Sequence, residues 1–362
     1  MSLENFSVKS RLADYSVVFS KPGDYLQRLS AGADCVFVVD ENVWRLHKDA
    51  ALKPLAACQP IILPISEEAK SLVSVQMLYD RIVEFSPKKN MRLVSIGGGI
   101  TQDITGFVAS TLYRGIKWTF IPTTLLAQAD SCIGGKTSLN YREFKNLVGT
   151  FYPPSEIYIS EEYLSTLTDG DYLSGLGEIA KLCIIGGEAE AKAFAEAAPR
   201  LVRRDLHSLL PFLHRALEIK KGYIEDDEFD AGRRNILNFG HCFGHAIESA
   251  SGFAVPHGIA VVYGILLANF VARNRGLLSS GLVEFMDRQI LRPIVADSLL
   301  KIPLGGEAIL NGMRKDKKRI GAKLALVMAT EGYKMSRIND LDDKEVLKAL
   351  DELGQDLTGR TN

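Results

Sequence analysis

Apolar and polar positions follow two different rhythms along this 362-residue chain. Up to about residue 168, the short β-rich runs "YSVVFS", "CVFVVD", "PIILPI", "RLVSIGGG", "WTFIPTT" and "EIYIS" alternate with amphipathic stretches. That alternation predicts parallel strands joined by helices. From Asp171 onward the segments "DYLSGLGEIAKLCII", "HSLLPFLHRALEIKKGYIEDD" and "RNILNFGHCFGHAIESA" predict long helices, and only "KLALVMAT" and "GYKMSR" read as strands. The rhythm changes near "TLTDGDY", so the chain reads as an α/β domain over residues 1–168 and a mainly α-helical domain over 169–362. Such a length fits two domains better than one.

Several strand candidates end in residues suited to ligand contact, namely Asp40 with Asn42, Gly97 to Gly99, and Thr123 with Thr124. Open α/β sheets bind nucleotides at such strand ends. The turn in "SIGGGITQDITGF" lets backbone N–H groups approach a phosphate at a helix N-terminus. It is not GxGxxG, because Gln102 stands where the last glycine would be, and a merely tight strand-to-helix turn remains an equal alternative. "GGKTS" at 134–138 suggests a phosphate loop, but Asp130 occupies the place of its first glycine. Arg114, Lys136, Lys145 and Asn146, interleaved with glycines, form a set able to cradle a phosphorylated substrate. Taken singly, each also reads as an ordinary surface group.

Composition narrows the function classes. With 46% hydrophobic residues, 24% charged residues and a formal charge of -1, the chain has no general attraction for nucleic acid or acidic membranes. Its five cysteines are scattered and form no CxxC pair, which argues against a disulfide framework or a thiolate zinc site and fits a reducing cytoplasm. "MSLENFSVKSRLADYSVVFS" has no basic-then-apolar signal pattern. The longest apolar run, 259–272, falls short of the roughly 20 residues that span a bilayer.

Half of the chain's six histidines lie within 17 positions, as His241, His245 and His257. On one helix His241 and His245 are spaced i, i+4 and share a face, with Gly240 and Gly244 on the adjacent face allowing another backbone to come close. Such a pair, with a carboxylate, suits a zinc site whose fourth position is left to water or substrate, but spacing does not say which histidine is the ligand. "GLGEIAK" offers Glu178 as the carboxylate, with Lys181 three residues on. A plain i, i+3 salt bridge is the alternative, though the segment is otherwise too apolar for a solvated face. Lys220, Arg234 and Asn238 follow in "KKGYIEDDEFDAGRRNILN", which by itself reads as a charged helix–loop–helix.

Together and in order, "GGGITQDITGF", "YRG", "PTTLLAQADS", "GGKT", "KN", "GEIAK", "LNFGHCFGHAIE" and the later "HG" resemble the 3-dehydroquinate synthase and wider sugar phosphate cyclase family. The resemblance runs from about "VVDEN" to "DKK", most of the chain. It implies a Rossmann-like NAD-binding domain and a helical domain for metal and substrate. The implied activity is that of a metal-dependent, NAD-using carbon–oxygen lyase. Such an enzyme closes a phosphorylated seven-carbon keto sugar acid into a carbocycle and expels phosphate.

Carried over residue by residue, the resemblance makes Glu178, His241 and His257 the ligands of zinc or cobalt and turns His245 to the substrate. It gives catalytic roles to Lys136, Lys181, Lys220, Arg234, Asn238 and His245, and substrate contacts to Arg114, Asp130, Lys145 and Asn146. Lys317, Lys318 or both would reach the substrate phosphate. NAD would lie against Asp40, Asn42, Glu67, Lys70, Gly98, Gly99, Asp103, Thr123 and Thr124, with Thr166 and Leu167 nearby. A homodimer is implied too, in which Arg114 serves the neighbouring copy.

Several positions depart from the commonest family pattern. Cys242 replaces a threonine, Cys132 replaces the second serine of "DSS", Ile259 stands where a glutamate is usual, "TLP" has become "TLT", and the helical domain is shortened between Glu178 and His241. None removes an implied ligand. The departures bear on the substrate more than on the reaction class. A paralogous cyclase acting on another sugar phosphate is therefore the first rival, a metal-dependent alcohol dehydrogenase the second, and a phosphosugar-binding protein without turnover the third.

Overall fold

The β-branched runs of the first half are strands, and three further pieces join them. The elements are β1 (Phe6–Val8), β2 (Tyr15–Phe19), β3 (Cys35–Asp40), β4 (Ile61–Leu63), β5 (Arg92–Gly97), β6 (Lys117–Pro122), β7 (Lys136–Tyr141), β8 (Phe144–Phe151) and β9 (Glu156–Ile159). Seven of them form one sheet in the order β1-β2-β9-β6-β5-β3-β4. Pairing is parallel, as at Val39 with Ile96, Ile96 with Ile121 and Phe120 with Ile157, and only β1 runs antiparallel to its neighbour β2. β3 and β5 are buried along almost their whole length, which is why their sequences are continuous apolar runs and not alternating ones. Helices α1 (Pro22–Ser30), α2 (Glu41–His47), α3 (Leu72–Val83) and α4 (Gly99–Thr111) connect the strands. Leu26, Phe37, Val39, Val94, Ile96 and Ile121 lie in the hydrophobic core.

The computed structural model describes residues 3–32, 34–86, 88–142, 144–295, 305–314 and 324–358. It divides into two compact units, Met1–Thr168 with Lys221–Phe229, and Asp169–Lys220 with Asp230–Asn362. A linear cut at residue 168 does not foresee the short excursion. Its cause is visible in side-chain caps: backbone N–H groups of Lys9 and Arg11 donate to Glu225 and Glu228, and Ser10 Oγ donates to Glu228.

The second unit contains α5 (Asp169–Ile185), α6 (Glu188–Leu201), α7 (Leu206–Asp226, up to Lys220), α8 (His241–Ala250), α9 (His257–Asn274), α10 (Ser280–Phe285), α11 (Gly306–Arg314) and α12 (Asp343–Thr358). One antiparallel pair, β10 (Leu324–Thr330) and β11 (Lys334–Leu341), joins them. α5 and α9 are buried on nearly every side, as helices that are apolar all round must be. Among the described residues, no helix is long and apolar enough to cross a membrane.

β7 and β8 were not among the strands that the hydrophobic pattern predicts. They form a separate antiparallel ribbon, with Lys136 opposite Phe151 and a register shift between Leu139 and Tyr141. Polar residues on both faces of "KTSLNY" and "FKNLVGTF" hide the two-residue rhythm. Gly149 is required there, because a Cβ would come within 2.1 Å of the Thr137 carbonyl oxygen.

Candidate active site

The first unit gathers its candidate residues in two places. At the C-terminal ends of β3, β5 and β6 lie Asp40, Gly97 to Gly99 and Thr123 with Thr124. Asp40 caps α2 by accepting the backbone N–H groups of Asn42 at 2.8 Å and Val43 at 3.2 Å, while burial pushes its carboxyl above the usual range. A Cβ on Gly97 would come within 2.9 Å of Asp40 Cβ, and one on Gly98 within 3.1 Å of Thr124. The strand ends are therefore packed to backbone thickness. Gly98, the residue before α4, offers no side-chain cap to that helix, so its first N–H groups are left for another acceptor. Thr166 stands at the other end of α2, where its Oγ1 is 2.9 Å from His47 Nε2, and Leu167 follows it.

The second place joins α4 to the polar ribbon. Lys70 Nζ is 2.6 Å from Asp103 Oδ2, and Ser138 donates to both oxygens of that carboxylate, each at 2.9 Å. Burial nevertheless pushes the Asp103 carboxyl up, offset only in part by Lys70 and Ser138. Asn140 ties three predicted residues together. Its Nδ2 donates to Glu67 Oε1 at 2.9 Å, its Oδ1 accepts the backbone N–H of Asn146 at 3.0 Å, and its own N–H donates to the Lys70 carbonyl at 2.7 Å. Lys145 Nζ is 3.5 Å from Glu67 Oε1. Thus Glu67, Lys70 and Asp103 from the expected cofactor set meet Lys145 and Asn146 from the expected substrate set. Arg114 is exposed on a turn after α4, where Tyr113, Arg114 and Gly115 all have positive φ. Lys136 opens β7, and Asp130 lies in the short π-helical segment Ala127–Ser131 before it.

In the second unit α5, α8 and α9 meet through glycines. A Cβ on Gly258 would lie 1.8 Å from the Ser174 carbonyl oxygen, one on Gly177 2.5 Å from the Gly258 oxygen, and one on Gly264 1.9 Å from the Gly240 oxygen. Only bare backbone permits these approaches. They bring Glu178 on α5 beside the first residue of α9, His257, and the first residue of α8, His241. The continuous helix expected over "RNILNFGHCFGHAIESA" is broken. A 3₁₀ turn, Arg233–Asn238, ends before Gly240, which caps α8 with a left-handed φ of 78°. Gly240 is therefore the cap of the helix and does not share its face with Gly244. His241 and His245 keep their common face, with ring centroids 5.3 Å apart.

Glu178 is fully buried, and neither of its oxygens accepts a hydrogen bond of good alignment among the described residues. It is held by charge. Lys181 Nζ is 2.5 Å from Oε2, and Nε2 of His241 and His257 lie 3.8 and 3.4 Å from Oε1. Each of these rings is engaged at its other nitrogen, His241 Nδ1 with the Phe239 carbonyl at 3.2 Å and His257 Nδ1 with Glu248 Oε2 at 3.0 Å. One nitrogen from each of His241, His245 and His257 falls within a mutual 4.8 Å, and His245 is the exposed member.

Electrostatics divides the histidines. Burial opposes charge on Glu178, but Lys181 and the two histidines outweigh it and hold the carboxyl well below its usual range. Burial, reinforced by the Lys181 charge, holds His241 well below 6.5. Burial also pushes His257 down, yet the carboxylates of Glu178 and Glu248 overcome it and raise the imidazole to about 10. Each nitrogen of His257 thus faces a carboxylate, Nε2 that of Glu178 and Nδ1 that of Glu248. Arg234 and Lys220 are buried, and Asn238 sits at the end of the 3₁₀ turn with its Nδ2 donating to the Asn235 carbonyl. Asn238, His241, Cys242 and His245 border a cavity of about 60 Å³, with Met313 and Arg337 among its other walls. Lys317 and Lys318 lie outside the described residues.

Two family models match consecutive stretches, 3-dehydroquinate synthase N-terminal over residues 60–174 and 3-dehydroquinate synthase C-terminal over residues 175–319. The 3-dehydroquinate synthase of Dictyoglomus turgidum is 36% identical across 81% of this chain and 82% of its own length. This chain belongs to the 3-dehydroquinate synthase family. The fold of this family member also matches two solved sugar phosphate cyclases. One is a 2-deoxy-scyllo-inosose synthase complexed with carbaglucose-6-phosphate, NAD+ and Co2+, with a TM-score of 0.85, 23% identity and coverage of 96% of this chain and 100% of that one. The other is the 2-epi-5-epi-valiolone synthase of Streptomyces hygroscopicus with NAD+ and Zn2+ bound, with a TM-score of 0.81, 24% identity and coverage of 96% and 98%.

Reading the 3-dehydroquinate synthase motifs alone missed several residues that the geometry singles out. Glu248 lies seven residues past His241, on the same helical face, and the motif match gives it no role. Period-two alternation from Lys136 places Ser138 and Asn140 on one face of a strand, a signal that the motifs do not use. Arg337 carries no local signal. Of the departures, Ile259 is fully buried, Cys132 is buried with its thiol near the Gln128 carbonyl, and Cys242 borders the cavity.

Proposed function

We propose that this chain is a metal- and NAD-dependent lyase that converts 3-deoxy-D-arabino-heptulosonate 7-phosphate to 3-dehydroquinate and phosphate, with NAD returned unchanged. The observation that carries the reading is the approach of His241 Nε2 and His257 Nε2 to the buried oxygen Glu178 Oε1, within a member of this family.

The residues fit the groups the reaction needs. Two imidazole nitrogens and a carboxylate oxygen, the last without a well-aligned hydrogen bond, are a donor set for zinc or cobalt that leaves a position open. Cobalt and zinc in the two cyclase structures support that choice. For NAD, the uncapped start of α4 suits a pyrophosphate, while Asp40, Asn42, Thr123 and Thr124 offer polar atoms around it. Glu67, Lys70, Gly99, Asp103, Thr166 and Leu167 complete the proposed cofactor set. When bound, the metal polarises a substrate hydroxyl and NAD takes up and returns a hydride.

The chain's own groups divide the remaining work. Lys181 keeps Glu178 ionised and supplies a positive charge that would stabilise negative charge developing on a substrate oxygen bound there. Arg234 offers a fork to a carboxylate or phosphate, and Lys220 a point charge. Asn238, held by the Asn235 carbonyl, orients the sugar by hydrogen bonding, and the exposed His245 exchanges protons with its oxygens. Lys136, Arg114, Asp130, Lys145 and Asn146 bind the substrate in this proposal. Hydrogen bonds of the half-buried Ser138 and Asn140 with Asn146 fix the start of β8, which carries the last two. A homodimer in which Arg114 serves the second copy, and a cytoplasmic location supported by five free cysteines, belong to the same reading.

The test uses purified protein with zinc and catalytic NAD, supplied with either 3-deoxy-D-arabino-heptulosonate 7-phosphate or sedoheptulose 7-phosphate. Phosphate and a cyclic product from the first substrate, at constant NADH, are expected. Release from sedoheptulose 7-phosphate alone supports the paralogous cyclase instead, and accumulating NADH supports a dehydrogenase.

A further inference from the structure

We infer that Glu248 is the positioning residue that aims His257 at the metal. The inference rests on the metal site proposed above. An imidazole binds a metal through the nitrogen that carries no proton, and which nitrogen that is depends on the hydrogen bond made by the other. Glu248 Oε2 accepts the Nδ1–H of His257 at 3.0 Å, so Nε2, 3.4 Å from Glu178 Oε1, is the nitrogen that gives up its proton when a metal binds. His241 is set in the same way, but by a backbone carbonyl, with Phe239 accepting its Nδ1–H at 3.2 Å. The two clamps differ in kind. A carbonyl fixes orientation, whereas a carboxylate also makes the ring a stronger donor.

His257 needs an external clamp because of its place in the chain. It is the first residue of α9 and follows Pro256, so no preceding helical turn restricts its side chain. Its own helix supplies no carboxylate nearby, since the residue two positions on is the fully buried Ile259. The acid comes from α8 instead. Gly244 lets α8 lie against the Ala260 backbone, which a Cβ there would meet at 3.2 Å, and this crossing holds the two helices close enough for Glu248 to reach across. Glu248 is itself anchored, because its carbonyl accepts the Phe253 N–H at 2.8 Å and the Ser251 hydroxyl at 3.0 Å. Its carboxylate sits in the last turn of α8, the end at which the helix dipole disfavours negative charge. Helix stability therefore does not account for an acid at this position, while His257 does.

Zinc titration of the metal-free protein against a chromophoric chelator tests the assignment, using wild type, Glu248→Gln, Glu248→Ala and His257→Ala. Glu248→Ala is expected to weaken zinc binding by about 10–100-fold, with Glu248→Gln in between because its amide oxygen still accepts the Nδ1–H. In the zinc-loaded protein, the exchange-protected Nδ1–H proton of His257 is expected in nitrogen-edited NMR spectra of wild type and Glu248→Gln and absent from Glu248→Ala. Zinc bound by both Glu248 variants at wild-type strength while His257→Ala loses it overturns the inference and leaves the metal site standing. A lowered melting temperature of metal-free Glu248→Ala with unchanged zinc affinity assigns a structural role and overturns it too. If wild type itself takes up no zinc, the metal-site reading falls and this inference with it.

Discussion

Lys181 Nζ lies 2.5 Å from Glu178 Oε2, one turn along the same helix, and the two side chains are only 2% and 0% exposed. A surface pair at this spacing stabilises a helix by a few tenths of a kcal/mol. A buried pair is different, because removing one partner strands the other's charge away from water. Lys181→Met should therefore lower the stability of the metal-free protein by roughly 3 kcal/mol, the low end for a broken buried pair because His257 still faces the carboxylate. Zinc should restore more of the melting temperature in the variant than it adds to wild type. Calorimetry with and without zinc checks both statements.

Gly258→Ala should disrupt the site without touching a candidate ligand. The new Cβ would lie 1.8 Å from the Ser174 carbonyl oxygen, where only backbone movement relieves the clash. α5 and α9 must then separate, at a cost of about 1–3 kcal/mol or more, and Glu178 moves away from His257. Chemical denaturation should show the lost stability, and metal analysis should show weakened zinc binding in the fraction that folds.

Asn140→Ala should weaken NAD binding although Asn140 is not in the proposed cofactor set. It fixes Glu67 and the left-handed Asn146 turn at once, at 2.9 and 3.0 Å. Loss of these hydrogen bonds should raise the NADH dissociation constant about tenfold, equivalent to one or two net hydrogen bonds. Quenching or enhancement of NADH fluorescence on titration measures it.

The response to acid should depend on Glu345. Its carboxylate receives Arg275 Nε at 2.6 Å and Nη2 at 2.7 Å, and these hydrogen bonds hold its pKa below the ordinary 4.5 against a smaller opposing effect of burial. A depressed carboxyl pKa adds stability that is fully present above the unfolded value of 4.5 and is lost as pH falls through the folded value. Melting temperatures of wild type and Glu345→Gln should differ at pH 6–7 and converge in acid below that folded value.

Much of the fold was legible because burial writes itself into composition. β3 and β5 are covered on both faces and α5 and α9 on nearly all sides, so each appears as an apolar run of the right length. The ribbon of β7 and β8 was not, because its neighbours are polar and its faces do not alternate in hydrophobicity. The same distinction runs through the site. Glu178, Lys181, His241 and His257 stood out as polar residues in apolar, glycine-containing segments. Close backbone approach is expected at Gly240 and Gly244 and both make it, while Gly258 and Gly264 add approaches that the sequence reading does not name. Glu248 was missed because its significance lies in a contact between two helices, which no periodicity within one of them reveals. The break at Gly240 was missed because a left-handed cap and a helical glycine look alike in sequence.

The most direct test of the site is the metal content of His257→Ala and His245→Ala after purification and reloading with zinc, measured beside wild type. His257→Ala is expected to retain no stoichiometric zinc and no activity, whereas His245→Ala should bind zinc at the wild-type level and fail to turn over. Equal loss of metal from both variants, or loss from His245→Ala alone, would contradict the assignment of Glu178, His241 and His257 as the ligands.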